Sequence, residues 1–111
     1  MYNTFVVTAD LNVNTVKWAA MGYGGVTVTG AQVKAVLSYF TNQLKSPGTT
    51  SSVSVVRASS GTYGITVKIS VDTPWWKLGF GTRTARMETS QRFNDFMNEF
   101  STVTHLLVKA A

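Results

Sequence analysis

The chain has 111 residues, no cysteine and a formal charge of +5, from ten Lys and Arg against five Asp and Glu. This length fits one domain, 1–111, and the lack of cysteine excludes disulfides and thiol chemistry. The positive excess favours phosphate-bearing partners or anionic surfaces without choosing between them. No apolar stretch is long enough to span a membrane, and residues 1–12 lack the basic and apolar regions of a signal peptide.

The N-terminal part of the chain is predicted to contain strands. Residues 3–10 have the composition of a strand. Residues 15–21 and 25–29 flank a glycine-rich sequence that starts at Gly22. Because its glycines can adopt the positive φ of a tight turn, this pattern predicts a hairpin.

Residues 30–45 have the period of an amphipathic helix. Thr29 followed by Gln32 predicts a capping box at its N-terminus. Lys45, followed two residues later by Pro47, predicts its C-terminal end. The apolar residues that share one face of this helix are Val33, Val36, Leu37, Phe40 and Leu44.

Residues 52–57 and 63–71 predict a second hairpin, because apolar and polar residues alternate in both. A register in which Arg57 faces Tyr63 puts the apolar residues of both strands on one face. The opposite face is then polar and consists of Ser52, Ser54, Thr66, Lys68 and Ser70.

The C-terminal part contains a second predicted helix. Pro74 ends the preceding strand, and residues 80–88 fit a further short strand. Ser90 is a suitable N-cap for a helix over residues 90–100. Residues 103–109 fit either a further helical turn or an edge strand. The apolar residues of this second helix are Phe93, Phe96, Met97 and Phe100.

Together these elements predict an α+β fold, in which two amphipathic helices pack on one face of an antiparallel, hairpin-rich sheet. One sheet of this length covers both helix faces only if its whole inner side is used. We therefore expect a homodimer at least, with an interface on the second helix. The expected interface residues are Phe93, Phe96, Met97 and Phe100.

Few residues suit catalysis. His105 is the only histidine, and a structural role is more common for a lone histidine than metal binding, because metal sites need three or four donors. The five carboxylates show no paired spacing for acid–base work, and no nucleotide- or metal-binding motif is present. The sequence therefore predicts a protein that is not an enzyme and uses no cofactor or metal.

Aromatic and basic residues are interleaved after residue 74. Trp75 and Trp76 precede Lys77, and Arg83 and Arg86 follow. Proteins that bind single-stranded nucleic acid combine stacking surfaces and cations in this way, so the three basic residues are candidate RNA contacts. The tryptophans also suit a core or a subunit interface, to which aromatic residues are drawn.

The polar face of the second hairpin is another candidate site. The hydroxyl groups of Ser52, Ser54 and Thr66 and the ammonium group of Lys68 form a flat array that suits phosphates and base edges. An ordinary solvated face would have the same composition.

At this hairpin the sequence resembles a known family. Residues 53–74, VSVVRASSGTYGITVKISVDTP, are similar to the central hairpin of the coat proteins of single-stranded RNA bacteriophages. Both have a strand that ends in a hydrophobic residue and Arg, a turn with Ser and Gly, and a strand of alternating Thr and Lys that ends at Pro. By position, the resemblance places the RNA contacts of that family on Ser54, Thr66 and Lys68.

The resemblance implies an obligate dimer in which the C-terminal helices of one chain pack across the sheet of its partner. Such dimers would form an icosahedral capsid around genomic RNA. The chain would then be a structural protein of the virion, and its exposed sheet face would bind an RNA hairpin.

The order of the predicted elements supports an alternative. A ferredoxin-like split βαβ domain has the same order, which is strand, helix, two strands, helix and strand. Residues 61–65 are faintly similar to an RNA-recognition segment whose second aromatic residue is missing here. This alternative predicts a small, basic, cytoplasmic module that binds nucleic acid or another partner without catalysis.

Overall fold

The computed structural model describes residues 2–23, 28–59, 61–72 and 81–111, and only the backbone of residues 81 and 82. Four strands and three helices follow one another along these ranges. In chain order they are β1 (Tyr2–Val13), α1 (Thr15–Ala20), α2 (Gly30–Leu44), β2 (Ser52–Ser59), β3 (Thr62–Asp72), α3 (Gly81–Asn98) and β4 (Ser101–Ala110).

The four strands form one antiparallel sheet in the order β2–β3–β1–β4. Strand β3 lies between β1 and β2, and β1 lies between β3 and β4. This is the split βαβ arrangement of the ferredoxin-like alternative. The predicted α+β class, with helices packed on an antiparallel sheet, is therefore confirmed. The C-terminal tail, predicted as either helix or strand, is the edge strand β4.

The central strand β1 separates the two sides of the molecule. Its odd-numbered residues from Phe5 to Leu11 are buried, whereas the even-numbered ones between them are partly exposed. Strand β3 shows the same alternation, with Ile65, Val67 and Ile69 in the core. Because neighbouring side chains point to opposite faces of a strand, one face of the sheet forms the core and the other does not.

Helix α2 confirms the predicted capping box. The Thr29 hydroxyl accepts a hydrogen bond from the Gln32 backbone N–H at 3.3 Å, and the Gln32 side chain accepts one from the Thr29 N–H at 2.8 Å. These bonds satisfy donors that the first turn of a helix leaves unpaired. The helix lies over β2 and β3. Its buried residues are Val33, Val36, Leu37, Phe40 and Thr41.

Helix α3 begins at Gly81, which corrects two predictions. Residues 81–88 are helical and do not form the predicted strand, and Ser90 lies inside the helix and does not cap it. The buried stripe starts with Ala85 and Thr89 and recurs every four residues into the predicted helix. Because Ala is small and Thr is polar and β-branched, the first half of this stripe does not stand out in the sequence.

Helix α1 replaces the first strand of the predicted N-terminal hairpin. The Asn14 side chain accepts a hydrogen bond from the Lys17 backbone N–H at 3.2 Å, which caps the helix. The helix then places Trp18 in the core with no exposed surface. The indole N–H of Trp18 donates to the Phe100 carbonyl oxygen at 3.1 Å and to the Ser101 hydroxyl at 3.2 Å. A buried indole donor is therefore satisfied at the turn between α3 and β4.

The hairpin of β2 and β3 has the predicted register in its first half only. Ser52 pairs with Lys68 and Ser54 with Thr66, as predicted. A register shift follows Val55, so that Arg57 lies opposite Gly64, and the predicted pairing of Arg57 with Tyr63 is wrong. An extra residue in one strand of a pair produces such a β-bulge, which alternation alone does not reveal.

The apolar residues predicted to form a dimer interface lie in the core of their own chain. Phe93, Met97 and Phe100 are at most 4% exposed, and the half-buried Phe96 stacks on Phe40 with ring centroids 4.3 Å apart. One sheet therefore covers both long helices within a single chain, and the expected homodimer stays a prediction.

The architecture also differs from the one that the coat-protein resemblance implies. Helix α3 packs on β4 and β1 of its own chain, and the chain continues after it into a strand. The predicted strand at 25–29 and the sequence from Trp75 to Lys77 fall wholly or partly outside the described residues. Within the described ranges, no helix is long and apolar enough to cross a membrane.

The role of Trp18 can be tested by Trp18→Phe. This change removes two buried hydrogen bonds and part of a fully buried side chain, so we expect the free energy of unfolding to fall by roughly 2–4 kcal/mol. Urea unfolding followed by circular dichroism would measure the loss. Val16→Ala is the control, because Val16 is in the same helix and 78% exposed. It should change stability by no more than about 0.5 kcal/mol. Equal effects of the two changes would contradict the assigned role.

Candidate functional site

The sheet has one face that none of the described helices covers, which we call the open face. It is formed by the even-numbered residues of β1 and β3 and by the residues of β2 and β4 that pair with them. Hydroxyl side chains dominate it on all four strands. They are Thr4, Thr8, Ser52, Ser54, Ser59, Thr62, Thr66, Ser70, Thr102 and Thr104.

Two lysines lie in one row across the open face. Lys68 of β3 pairs with Val6 of β1, which in turn pairs with Lys109 of β4. With neighbouring strands about 4.8 Å apart, the two lysines are roughly 10 Å apart along this row. Both side chains are exposed, and neither ammonium group forms an ion pair or hydrogen bond with another described residue.

Lys68 lies in a shallow hollow that we call the Lys68 hollow. Apart from the lysine, each of the described side chains that line it carries a hydroxyl group. An ammonium group surrounded by hydroxyl donors, without a carboxylate among them, suits an anionic ligand. The lining residues are Thr4, Thr50, Ser51, Ser52, Lys68 and Ser70.

A second hollow lies further along the same face, and we call it the Arg57 hollow because it lies beside that residue, which is not itself part of the lining. The lining residues are Thr8, Ala9, Asp10, Val56, Gly64, Ile65, Thr66 and His105. Arg57 of β2, Gly64 of β3 and Asp10 of β1 occupy one cross-strand row, and Arg57 forms an ion pair with Asp10 across the intervening glycine. A Cβ atom at Gly64 would lie only 2.7 Å from Cγ and 2.8 Å from Nε of Arg57. Glycine therefore allows the arginine side chain to lie directly over its backbone, and a Cβ at this position would displace that side chain.

Both edge strands carry a bulge at the same level of the sheet as this hollow. The extra residue of β2 is Val56, and the register of β4 shifts between Thr104 and Leu107. His105, within the second shift, has a φ of 53°. A left-handed conformation is uncommon for residues other than glycine, although histidine adopts it more often than most. Val56 and His105 thus form opposite rims of the Arg57 hollow.

The structure brings together some of the predicted site residues and separates others. Ser52, Ser54, Thr66 and Lys68 share the open face, as predicted. Arg83 and Arg86 are exposed on α3, on the other side of the sheet, and Lys77 is outside the described residues. A ligand that lies flat on the open face would not contact the two arginines.

Four residues of this face were not predicted as part of a site. Arg57 and Asp10 are 47 positions apart, and only the pairing of three strands reveals their contact. His105 and Lys109 are brought to the open face by the pairing of β4 with β1. The one signal present in the sequence is the alternation within β1, which places Asp10 on the same face as Thr8.

The open face carries hydroxyl groups, three cations, an imidazole and two carboxylates, Asp10 paired with Arg57 and Asp72 at the end of β3. Its apolar and aromatic positions are Tyr2, Val6 and Leu107. Among the described residues, no three His, Cys, Asp or Glu side chains come together as metal ligands would. No protein-family model matches the chain, and no curated protein or solved structure matches it either. What this face does is therefore inferred from its geometry and its chemistry.

The backbone of His105 gives a prediction about stability. His105→Gly removes the steric cost of the left-handed conformation but makes the unfolded chain more flexible, so the free energy of unfolding should stay within about 0.5 kcal/mol. His105→Val adds a β-branched side chain to a left-handed residue and should cost roughly 1–2 kcal/mol. Thr102→Val, at an exposed position of the same strand without a positive φ, is the control and should have little effect. Thermal unfolding of the three variants would measure this, and equal stability of the two valine variants would contradict it.

Proposed function

We propose that this chain is a non-catalytic RNA-binding module that holds single-stranded RNA against the open face of its sheet. The observation that carries the proposal is the row across this face with Lys68 and Lys109, set among hydroxyl groups on all four strands. Cations and hydroxyl groups are the side-chain groups that most often contact phosphate and sugar oxygens. The overall charge of +5 adds a favourable long-range attraction for a polyanion.

The geometry of the face favours a single strand over a protein partner. Its central positions are Val6, Thr8, Thr66 and Lys68, which do not include the aromatic residues that are enriched at the centre of protein interfaces. The Thr8 and Thr66 hydroxyl groups form no hydrogen bond with another described residue, so both can contact a ligand. Exposed bases and sugars of single-stranded RNA offer many partners for such groups.

Lys68 and Lys109 provide the test of this proposal. Lys68→Ala and Lys109→Ala should each leave stability within about 0.5 kcal/mol, because both side chains are exposed. Each should weaken binding of a single-stranded RNA oligonucleotide by roughly 1–3 kcal/mol, the scale of a charge-assisted hydrogen bond. Fluorescence anisotropy with a labelled oligonucleotide measures the affinity.

The control is Lys34→Ala, which removes the same charge from an exposed position of α2, on the covered side of the sheet. The salt dependence of binding gives a second measurement. When a variant loses one phosphate contact, the slope of log affinity against log salt concentration should become smaller in magnitude by about 0.7. We expect this reduction for Lys68→Ala and Lys109→Ala but not for Lys34→Ala. Equal effects of all three changes would mean that net charge alone drives binding, and the assignment to the open face would be wrong.

A second candidate function is that of a coat protein that assembles around RNA in a virion. One observation favours it. One face of the sheet carries Ser54, Thr66 and Lys68, the positions that resemble the RNA contacts of phage coat proteins. Size-exclusion chromatography of the purified chain, with absorbance at 260 and 280 nm, separates the two candidates. A very large particle rich in 260 nm absorbance would indicate a coat protein, whereas a peak of one or two chains would indicate a binding module.

A further inference from the structure

The centre of the open face lacks a feature that RNA-binding sheets commonly use. Such sheets stack two or three bases on aromatic side chains of their central strands. Here the central positions of β1 and β3 on the open face are occupied by Val6, Thr8, Thr66 and Lys68. The exposed Tyr2 lies at the end of β1, so a base bound at the centre of the face needs a different planar group.

Arg57 has the properties of such a group. Its guanidinium is planar, and arginine planes stack on nucleobases as aromatic rings do. The side chain does not extend into solvent. Its stem and Nε lie over Gly64, and its terminal nitrogen donates to the Asp10 carboxylate one strand further. The side chain nevertheless remains 68% exposed, so that a ligand can contact it.

The surroundings of Arg57 favour a base over a phosphate. The Asp10 carboxylate lines the Arg57 hollow, and its negative charge repels a phosphate at this position. It can also accept a hydrogen bond from the amino group of a base. The Lys68 hollow lies roughly 13 Å from the Arg57 hollow, because Lys68 is four residues along β3 from Gly64. Apart from the lysine, the described residues that line the Lys68 hollow carry hydroxyl groups and no carboxylate. The two hollows therefore differ in the ligand group that each suits.

We propose that Arg57, held flat on the open face by Gly64 and Asp10, is a stacking platform for an unpaired nucleobase, while Lys68 contacts the phosphate backbone. This inference rests on the proposed function and assigns different parts of the RNA to the two hollows. The His105 imidazole, on the opposite rim of the Arg57 hollow, is a second planar group beside the bound base.

The test compares two strands of equal length and charge, an oligoadenylate and an abasic ribose-phosphate oligomer. Arg57→Lys keeps the charge but loses the plane. We expect it to weaken oligoadenylate binding about tenfold, as loss of a stacked base does, and to leave abasic binding within about twofold. Lys68→Ala should weaken binding of both strands. Quenching of 2-aminopurine fluorescence reports stacking directly and should decrease in Arg57→Lys but not in Lys68→Ala.

Gly64→Ala provides an independent variant with Arg57 unchanged. Its Cβ would displace the exposed arginine from the sheet surface, so it should reproduce the selective weakening of oligoadenylate binding. Combined with Arg57→Lys, it should weaken binding little further, because both changes remove the same contact. Thermal unfolding confirms that each variant is folded.

The outcomes separate the stacking platform from the proposed function. Two results would show that Arg57 is not a stacking platform: the Arg57→Lys variant binds oligoadenylate as tightly as the unchanged chain, or the substitution weakens binding of both strands equally. Either result leaves the proposed RNA binding by the open face intact. If the unchanged chain binds neither strand, the proposed function fails and the stacking platform fails with it.

Discussion

The structure depends on a continuous series of aromatic contacts on the covered side of the sheet. Trp18 contacts Phe100, Phe100 contacts Phe96, and Phe96 stacks on Phe40, which also meets Phe93. These rings join all three helices to the turn before β4. Because aromatic side chains bury the largest areas of any residues, this layer accounts for much of the core of a small chain. It also concentrates the described helices on one side, so that they leave the other face of the sheet uncovered.

The parts of the fold that follow from local patterns could be predicted from the sequence. The period of α2 and its Thr29 cap are local, and so is the alternation that pairs Ser54 with Thr66. The errors concern features that packing decides. The six residues of α1 are too few to show a helical period, and its helical state depends on the Asn14 cap and on burial of Trp18. The early start of α3 depends on Ala85 and Thr89, whose burial no composition rule indicates.

The candidate site divides in the same way. Lys68 and its hydroxyl neighbours lie on one hairpin, so strand alternation was sufficient to place them on a common face. The Arg57 hollow draws on β1, β2, β3 and β4, and its shape depends on two bulges and on a glycine between two charged residues. No local pattern in a sequence indicates a contact between residues 47 positions apart. Such a site becomes visible only once the order of the strands is known.

The two edge bulges have a consequence for how copies of this chain can associate. An edge strand with regular, unpaired backbone groups recruits strands from other molecules, which leads to fibrils and aggregates. In the described sheet, β2 and β4 are the edges, and each is interrupted beside the paired residues Ala9 and Ile65. These interruptions bend the edges and break the regular backbone pattern that another strand would need. The two bulges therefore disfavour an assembly that continues the sheet from one copy into the next, and favour association through the faces and helices.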